Sequence, residues 1–417
     1  MLSSFKYSFL YILKKLNTFL MITKFKIFEK KIAFGKMNLP DDIINLYNIF
    51  KASNYDLLVV GGAVRDFIKN QQPHDIDLVT NAKPDEIIDL LKNKYRIGLQ
   101  GKQFGVVRVF TKENPLGIEI ASYRTDLVKG RDNKGIHKKV DTENATIESD
   151  AERRDFSGNA LYYDIGSNEI IDLVGGIDDI KNNVIRAVGD PIQRFEEDRL
   201  RLLRACRFAS RNQSKIDKGT EDAILRDKRL RNISSIDDVS QERIIEEFIK
   251  SVDWASEHKN IKALNYYLEL LKKYEMFEEM FPQLNVSTNN INTFNLKIIF
   301  ALLFRNNDID DLRDKFRKYQ LPNNIADQSC FLLRLRDEIK NLDSIPSLYK
   351  EKKRIKINNQ VIEEFADLTN INDNYLQAFL KFEPRIDANK IIKLGFKGSQ
   401  IGEEIQKLEI EEFKKLL

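Results

Sequence analysis

Only two cysteines occur in the 417 residues, Cys206 and Cys330. Neither stands in a metal-ligand spacing or in the framework of a small secreted, disulfide-rich domain, so a reducing, cytoplasmic setting is expected. Histidine is scarce too: the three present, His74, His137 and His258, leave no basis for an appended histidine-rich metal phosphohydrolase domain. Long apolar runs are missing. The stretch from Phe9 to Ile12 is interrupted at Lys14 and Lys15, which is too short to span a bilayer, and no membrane protein is expected. Neither charge dominates. With 68 Lys and Arg against 64 Asp and Glu the formal charge is +4, too near balance to mark nucleic-acid binding by itself, so any basic surface must be local. The first 40 residues lack arginine altogether, and Glu29 is their only acid. A transit or membrane-surface segment is one reading of that stretch. Because transit peptides are Arg-rich, a basic extension, or a start at Met21 or Met37, is the favoured one.

The length predicts two or more compact units. From Asp41 the pattern DDIINLYNIFKAS reads as an amphipathic helix, and the apolar run Leu57 to Val60 as a strand ending at Gly61-Gly62. A second strand carries Ile76 to Val79, a helix begins at Pro84, and FGVVRVFT and GIEIASYR are two further strands joined through Asn114-Pro115. Thr125 to Ala151 is polar without sustained periodicity and reads as a mobile loop. NALYYDI, a turn at Gly166 to Asn168 and the strand EIIDLV follow. Beyond about residue 180 the segments RLLRACRFA, QERIIEEFIKSV, ALNYYLELLKKY and IEEFADLT space apolar residues three and four apart, with no further strand cluster. The fold class is therefore α+β: a head with a small mixed sheet, then an all-α remainder. Trp254 and Cys206 are helix-packing residues.

Chemistry concentrates in the head. In VVGGAVRD, Gly61 and Gly62 lie where a strand meets a helix, so main-chain N–H groups can approach a triphosphate, and Arg65 supplies a fork for phosphate oxygens. By itself a Gly-Gly turn is more often just a tight turn. Asp75 and Asp77, one residue apart on a strand, point to one face while Ile76 points inward. Two carboxylates on one face repel unless cations neutralise them, and their oxygens suit Mg²⁺ alongside triphosphate oxygens. Two such metals, about 3.5–4 Å apart, would activate an attacking 3′-hydroxyl and stabilise the leaving pyrophosphate. Glu119, in GIEIAS, is either a third carboxylate beside the pair or the ion-pair partner of Arg124 or Arg108. His74 beside them is a turn residue rather than a ligand, since Mg²⁺ prefers oxygen.

At this point GGAVRD followed by HDIDLVTNAKPDEI resembles motif A of the class II CCA-adding enzymes and bacterial poly(A) polymerases. ERRDFSGNALYYD (Glu152 to Asp164) resembles motif B of that family, usually RRDFTINA. EEDRLRLLRACRFA resembles its nucleobase-recognising EDxxR motif, and QERIIEEF its supporting helix. KLGFKGSQIGEEIQKLE is a weaker likeness near the C-terminus. The ordered motifs cover about residues 57 to 250. After the basic extension over 1–40, the resemblance implies a nucleotidyltransferase head over 41–180, a helical neck over 181–255, and an RNA-binding body and tail over 256–417. It implies that Asp155 meets the ribose hydroxyl and Arg154 the incoming nucleotide, with Asn159 doing likewise or satisfying backbone groups. Two departures stand in motif B, Ser157 for Thr and Gly158 for Ile; the second loosens the backbone near the ribose site. Arg199 replaces a frequent Pro, which reads as a surface change.

Asp198 and Arg201 are three apart on the next helix, and Arg204 and Arg207 continue the row. C and A both offer an exocyclic amine beside a ring-nitrogen acceptor, so Asp198 accepting and Arg201 donating fits them and rejects U and G. Arg204 and Arg207 would assist, Glu197 would orient Arg201, and Glu242 and Arg243 would brace the neck. An ordinary charged helix is the competing reading of that segment. The expected activity is template-independent addition of CCA to tRNA 3′ ends from CTP and ATP with Mg²⁺. Poly(A) polymerase, CC-only or A-only addition are the enzymatic alternatives, and an inactive RNA-binding protein the remaining one. The run Lys350 to Lys356 reads as a solvated charge run before a phosphate contact.

Overall fold

The computed structural model describes residues 30–73, 75–126, 130–132, 135–137, 140–229, 239–289, 291–371 and 373–417. His74 and most of the N-terminal extension lie outside them. The chain forms two compact units. One comprises the residues up to Glu197 together with Lys215–Ala223, the other Asp198–Ser214 together with Ile224–Leu417.

Among the described residues the first unit has fourteen short strands: β1 (Lys30–Ala33), β2 (Leu58–Val60), β3 (Asp77–Thr80), β4 (Arg96–Gly98), β5 (Val106–Phe110), β6 (Ile118–Ser122), β7 (Thr125–Asp126), β8 (Gly130–Asp132), β9 (Gly135–His137), β10 (Val140–Asp141), β11 (Leu161–Asp164), β12 (Glu169–Asp172), β13 (Val184–Ile185) and β14 (Lys215–Ile216). Eight form one sheet in the order β1-β12-β11-β2-β3-β6-β5-β4. Its pairs are antiparallel except β3 with β6, which makes the sheet mixed. Both faces are covered at the centre. Leu57, Val59, Leu78, Ile120 and Tyr163 pack into one apolar cluster, with Ile43, Leu46 and Phe50 from helix α1 (Asp41–Ala52). Leu58, Val60, Val79 and Tyr162 pack into another on the opposite face. That is why the run Leu57 to Val60 is apolar without alternation. Helices α2 (Gly62–Ile68) and α3 (Pro84–Leu91) add Val64, Ile87 and Leu91 to the first cluster.

Thr125 to Ala151 holds more structure than its polarity suggests. β7 pairs with β10 and β8 with β9, each as a two-stranded ladder, and helix α4 (Ile147–Glu152) buries Asp150 and Ala151. Ladders of two or three residues are too short to print an alternation on the sequence. A six-residue helix, capped by the Thr146 hydroxyl, is likewise too short to show a period. β1 and β4 also escape the sequence pattern, being edge strands of four and three residues. Helices α5 (Gly176–Lys181) and α6 (Pro191–Glu197) complete this part of the chain, and β13 with β14 forms a small parallel pair beyond residue 180.

The second unit is helical. Helix α7 (Leu200–Arg211) turns Leu202, Leu203, Ala205, Cys206 and Ala209 inward. After α8 (Lys218–Arg226), which begins in the first unit, come α9 (Gln241–Glu257) and α10 (Ile261–Lys273). Further on, Phe248, Phe281, Phe304 and Phe316 surround Phe300 with ring centroids 5.2 to 6.1 Å away, a packed aromatic centre for the body. Cys206 and Cys330 are free and buried, and burial pushes each thiol up to about 12, which fits a packing role. Among the described residues no helix is long and apolar enough to cross a membrane.

Candidate active site

The strand-to-helix turn after β2 needs glycine at its first position. Gly61 has φ +74° and caps α2, with its N–H bonded to the Leu161 carbonyl at 3.1 Å. A side chain there would also approach Arg154 Nη1 at 3.7 Å, and one on Gly62 would approach Arg65 Nη2 at 3.5 Å. Two guanidinium groups therefore border this turn.

They are tied together through motif B. Arg65 Nη1 donates to Asn159 Oδ1 at 2.7 Å, Asn159 Nδ2 donates to Asp155 Oδ1 at 3.0 Å, and Arg154 Nη1 reaches the Asn159 carbonyl at 3.3 Å. Residues 94 apart in sequence thus share one hydrogen-bonded cluster, with Asn159 at its centre. Gly61, Gly62, Arg65, Arg154, Asp155 and Asn159 all meet here. Ser157 keeps its hydroxyl at work, donating to Asp179 Oδ2. Gly158 sits in a 3₁₀ turn, where an added Cβ would lie 3.4 Å from Ile180 Cγ1, in ordinary contact with α5.

Two residues of this cluster were not among the expected site residues, and the first lies outside every motif quoted. Asp150 is fully buried on α4 and accepts from Arg153 Nε at 2.9 Å, from Arg154 Nε and Nη2 at 3.1 and 2.9 Å, and from the Tyr162 hydroxyl at 2.8 Å. Burial alone would raise its carboxyl, but Arg154 and then Arg153 outweigh that and hold it below the usual range. In return, although burial opposes charge on Arg154, Tyr162 and Asp150 keep the guanidinium firmly protonated. The i, i+3 and i, i+4 spacing to the two arginines was the available signal. Asp66, the last residue of GGAVRD and given no role by the sequence reading, accepts from Arg65 Nε and Nη2 at 3.1 and 3.0 Å.

The carboxylates lie one strand over. Asp77 opens β3 and is paired with Val60; Asp75 stands just before the strand, and Ile76 between them packs on the core, as alternation requires. β3 lies beside β6 with Leu78 opposite Ile120, so Asp77 and Glu119 fall on the same face one residue earlier. Of the two partners open to Glu119, Arg108 takes it, across the β5–β6 ladder. Arg124 instead donates to the Phe104 carbonyl. Although Asp77 meets solvent, its carboxyl is raised, first by the water displaced around it and then by Glu119, with Arg154 opposing and Asp75 adding to the rise. Such a site is short of positive charge. Among the described residues no group of three or more Asp, Glu, His or Cys forms a complete metal cage. Two oxygen donors that leave the remaining positions to water and triphosphate suit Mg²⁺, which keeps several waters and binds through one or two carboxylates.

In the second unit, Asp198 precedes α7. Its Oδ1 accepts the Leu200 N–H at 3.2 Å and its Oδ2 accepts from Arg243 Nη2 at 3.2 Å. Arg243 is thus joined directly to the expected base-reading carboxylate, while Glu242 is exposed in the first turn of α9. Arg201 is buried at 8% exposure. Arg207 donates from Nε to Glu247 at 2.7 Å in a pair that is almost fully buried, and Arg204 lies 3.8 Å from the same carboxylate. Glu247 lies in QERIIEEF, but forty residues from Arg207 nothing in the sequence joined the two. Glu197 accepts from Arg194. Arg199, read as a surface change, is buried and pairs with Asp227 at 2.9 Å. Arg229 chiefly, with Arg199, holds that carboxyl down to about 2.

Residues 57–186 match the model of the poly(A) polymerase head domain. Poly(A) polymerase I of Salmonella typhi is 31% identical over 293 residues, 68% of this chain and 59% of that protein. The CCA-adding enzyme of Lactobacillus helveticus is 29% identical over 392 residues, 89% of this chain and 92% of that enzyme. The chain belongs to the family of CCA-adding enzymes and bacterial poly(A) polymerases. It spans between half and three fifths of the length of the poly(A) polymerases it matches. Its fold is that of the family: a solved CCA-adding enzyme in an apo form has a TM-score of 0.65, with 20% identity, over 90% of this chain and 92% of that one. A Thermotoga maritima CCA-adding enzyme complexed with tRNA_CCA has a TM-score of 0.58, with 19% identity, over 90% and 94%.

Proposed function

We propose that the protein is a tRNA nucleotidyltransferase that adds C and A, without a template, to the 3′ ends of tRNA using CTP and ATP. The observation that carries this reading is the alignment with the Lactobacillus CCA-adding enzyme, which runs through nearly the whole of both chains. The solved relatives support the same substrates, since CCA-adding enzymes in complex with CTP and with ATP share the fold. Poly(A) addition is the second reading, favoured by the 31% identity to poly(A) polymerase I. The domain reading that accompanies the proposal is a head over 41–180, a neck over 181–255, and an RNA-binding body and tail over 256–417.

In this reading Arg65 and Arg154, beside Gly61 and Gly62, bind the triphosphate, and Asp155, held by Asn159, takes the ribose hydroxyl. Asp198 and Arg201 read the base. The Arg243 contact fixes the Asp198 carboxylate as an acceptor for the exocyclic amine common to C and A. Asp75 and Asp77 would hold Mg²⁺, which supplies Lewis-acid stabilisation of the charge that develops on phosphate oxygens. The RNA 3′-hydroxyl oxygen forms a bond to the α-phosphorus, the bond from the α-phosphorus to the bridging oxygen breaks, pyrophosphate leaves, and the hydroxyl proton passes to solvent.

The test uses tRNA transcripts lacking CCA, ending in C, or ending in CC, each offered labelled nucleotides singly and together, with products resolved at single-nucleotide length. Growth that stops at CCA is the expected result. Stopping at CC, or requiring CC, identifies a partial activity, and an unbounded A ladder on any RNA moves the assignment to poly(A) addition.

A further inference from the structure

An open cleft of about 460 Å³ lies in the first unit beside the carboxylates, and Asp75, Asp77, Glu119, Arg108, Asn114 and Leu116 are among its walls. None of Gly61, Gly62, Arg65, Arg154 or Asn159 lines it. The sheet order explains the separation: β2 with its glycine turn flanks β3 on one side, and β6 with β5 flanks it on the other. Asp77 stands between the two.

In-line displacement requires the attacking and leaving oxygens to lie on opposite sides of the α-phosphorus. A triphosphate bound at Gly61, Arg65 and Arg154 directs the departing pyrophosphate toward β2. The attacking oxygen must then come from the β6–β5 side. We propose that this cleft is the subsite for the terminal nucleotide of the acceptor RNA, with Arg108 contacting its last phosphodiester and Leu116 packing against its sugar or base. The proposal rests on the nucleotidyltransferase reading above and goes beyond it by placing the acceptor.

The cleft suits that occupant. Its volume is within the roughly 300–1,000 Å³ of small-ligand pockets. Arg108 is about half exposed and offers a planar fork, of which Nη2 is engaged by Glu119. Its stem is deliberately accommodated: a Cβ on Gly117, whose φ is +94°, would come within 2.5 Å of Arg108 Cγ, so glycine there lets the arginine cross the strand pair. Leu116 is 86% exposed at the rim, an apolar side chain with little protein against it. An arginine beside an exposed apolar residue matches the alternating phosphate and sugar-base chemistry of a single strand.

The experiment measures extension with RNA and nucleotide concentrations varied independently, in the wild-type full chain, Arg108→Gln, Arg108→Lys, Leu116→Glu and Arg65→Gln. Arg108→Gln is expected to raise KM for RNA about tenfold, the scale of one charge-assisted hydrogen bond, and to raise KM for nucleotide far less. Its equilibrium RNA binding, read without turnover, should lose about 0.7 from the slope of log affinity against log salt, one phosphate contact fewer on a single strand. Arg108→Lys should restore that salt slope. Leu116→Glu, at a position with no packing to lose, should raise KM for RNA with an unchanged Tm. Arg65→Gln should show the opposite split. An Arg108→Gln whose KM rises for nucleotide and not for RNA would overturn the subsite, as would Leu116→Glu with wild-type RNA kinetics. A wild-type chain that extends no RNA overturns the nucleotidyltransferase reading itself, and the subsite with it.

Discussion

Asp77 illustrates how a functional residue can work against the fold that carries it. Its charge is disfavoured by the water that neighbouring atoms displace around it, by Glu119 and by Asp75, and only partly relieved by Arg154. Replacing it with asparagine should therefore raise Tm in metal-free buffer while lowering nucleotidyl transfer on the order of 10²–10³-fold or more, as expected when stabilisation of developing charge is removed. Normal extension by that variant would sink the metal assignment. Asp150 shows the reverse relation. Its carboxyl is held down by Arg154 and Arg153, so the stabilisation it provides is complete above the unfolded value of about 3.9 and disappears as pH falls through the lower folded value. The wild type should lose thermal stability as pH falls below about 3.9, and Asp150→Asn should be less stable at neutral pH and flatter over the same fall. A parallel pair of curves would remove Asp150 from the list of stabilising groups. The motif residues themselves were legible in the sequence because strand alternation and a short turn bring Gly61, Asp75 and Asp77 together locally. Their supports were legible only where a helical spacing connected them, as from Asp150 to Arg154.

At the scale of elements, the central strands were readable and the small ones were not. β2, β3, β5, β6, β11 and β12 bury side chains on one or both faces and so print an apolar pattern on the sequence. β1 and β4 at the sheet edges, and the two- and three-residue ladders between Thr125 and Asp141, are specified by backbone pairing, which leaves no trace in residue type. The row of Asp198, Arg201, Arg204 and Arg207 was visible as helical spacing, but its division of labour depends on a partner from α9. With Arg207 and Glu247 7% and 2% exposed, truncating one leaves the other charged and unpaired in the interior. Glu247→Ala should therefore cost about 3–5 kcal/mol in urea unfolding, whereas a change at exposed Glu242 should cost well under 1 kcal/mol. If Glu247→Ala unfolds with wild-type energetics, the pair is not what anchors α7 to α9.

At the scale of the whole molecule, a chain with a formal charge of only +4 must bind RNA through localised cations if the proposed function is correct. The run from Lys350 to Lys356 is a less obvious source than its composition suggests. Lys350 faces Glu409, Lys353 faces Glu383, Arg354 faces Glu351, and Lys352 lies over the Phe379 ring. Raising salt should weaken tRNA binding steeply, by about 0.7–0.9 in the log–log slope per phosphate contacted. Neutralising Lys350, Lys352 and Lys353 together should leave most of that slope in place. A flat response in the wild type would count against phosphate contacts by the helical body.

The chain passes from one unit to the other three times, after Glu197, Ser214 and Ala223. No single cut in the sequence therefore yields both units intact. As the polypeptide emerges from a ribosome, β13 must wait for β14, thirty residues later, and in that interval α7 is already outside with its inward face of leucines and alanines uncovered. Synthesis of this chain thus exposes the apolar face of α7 before α9 and α10 exist to cover it, which makes α7 the stretch where a holding chaperone would have most to bind.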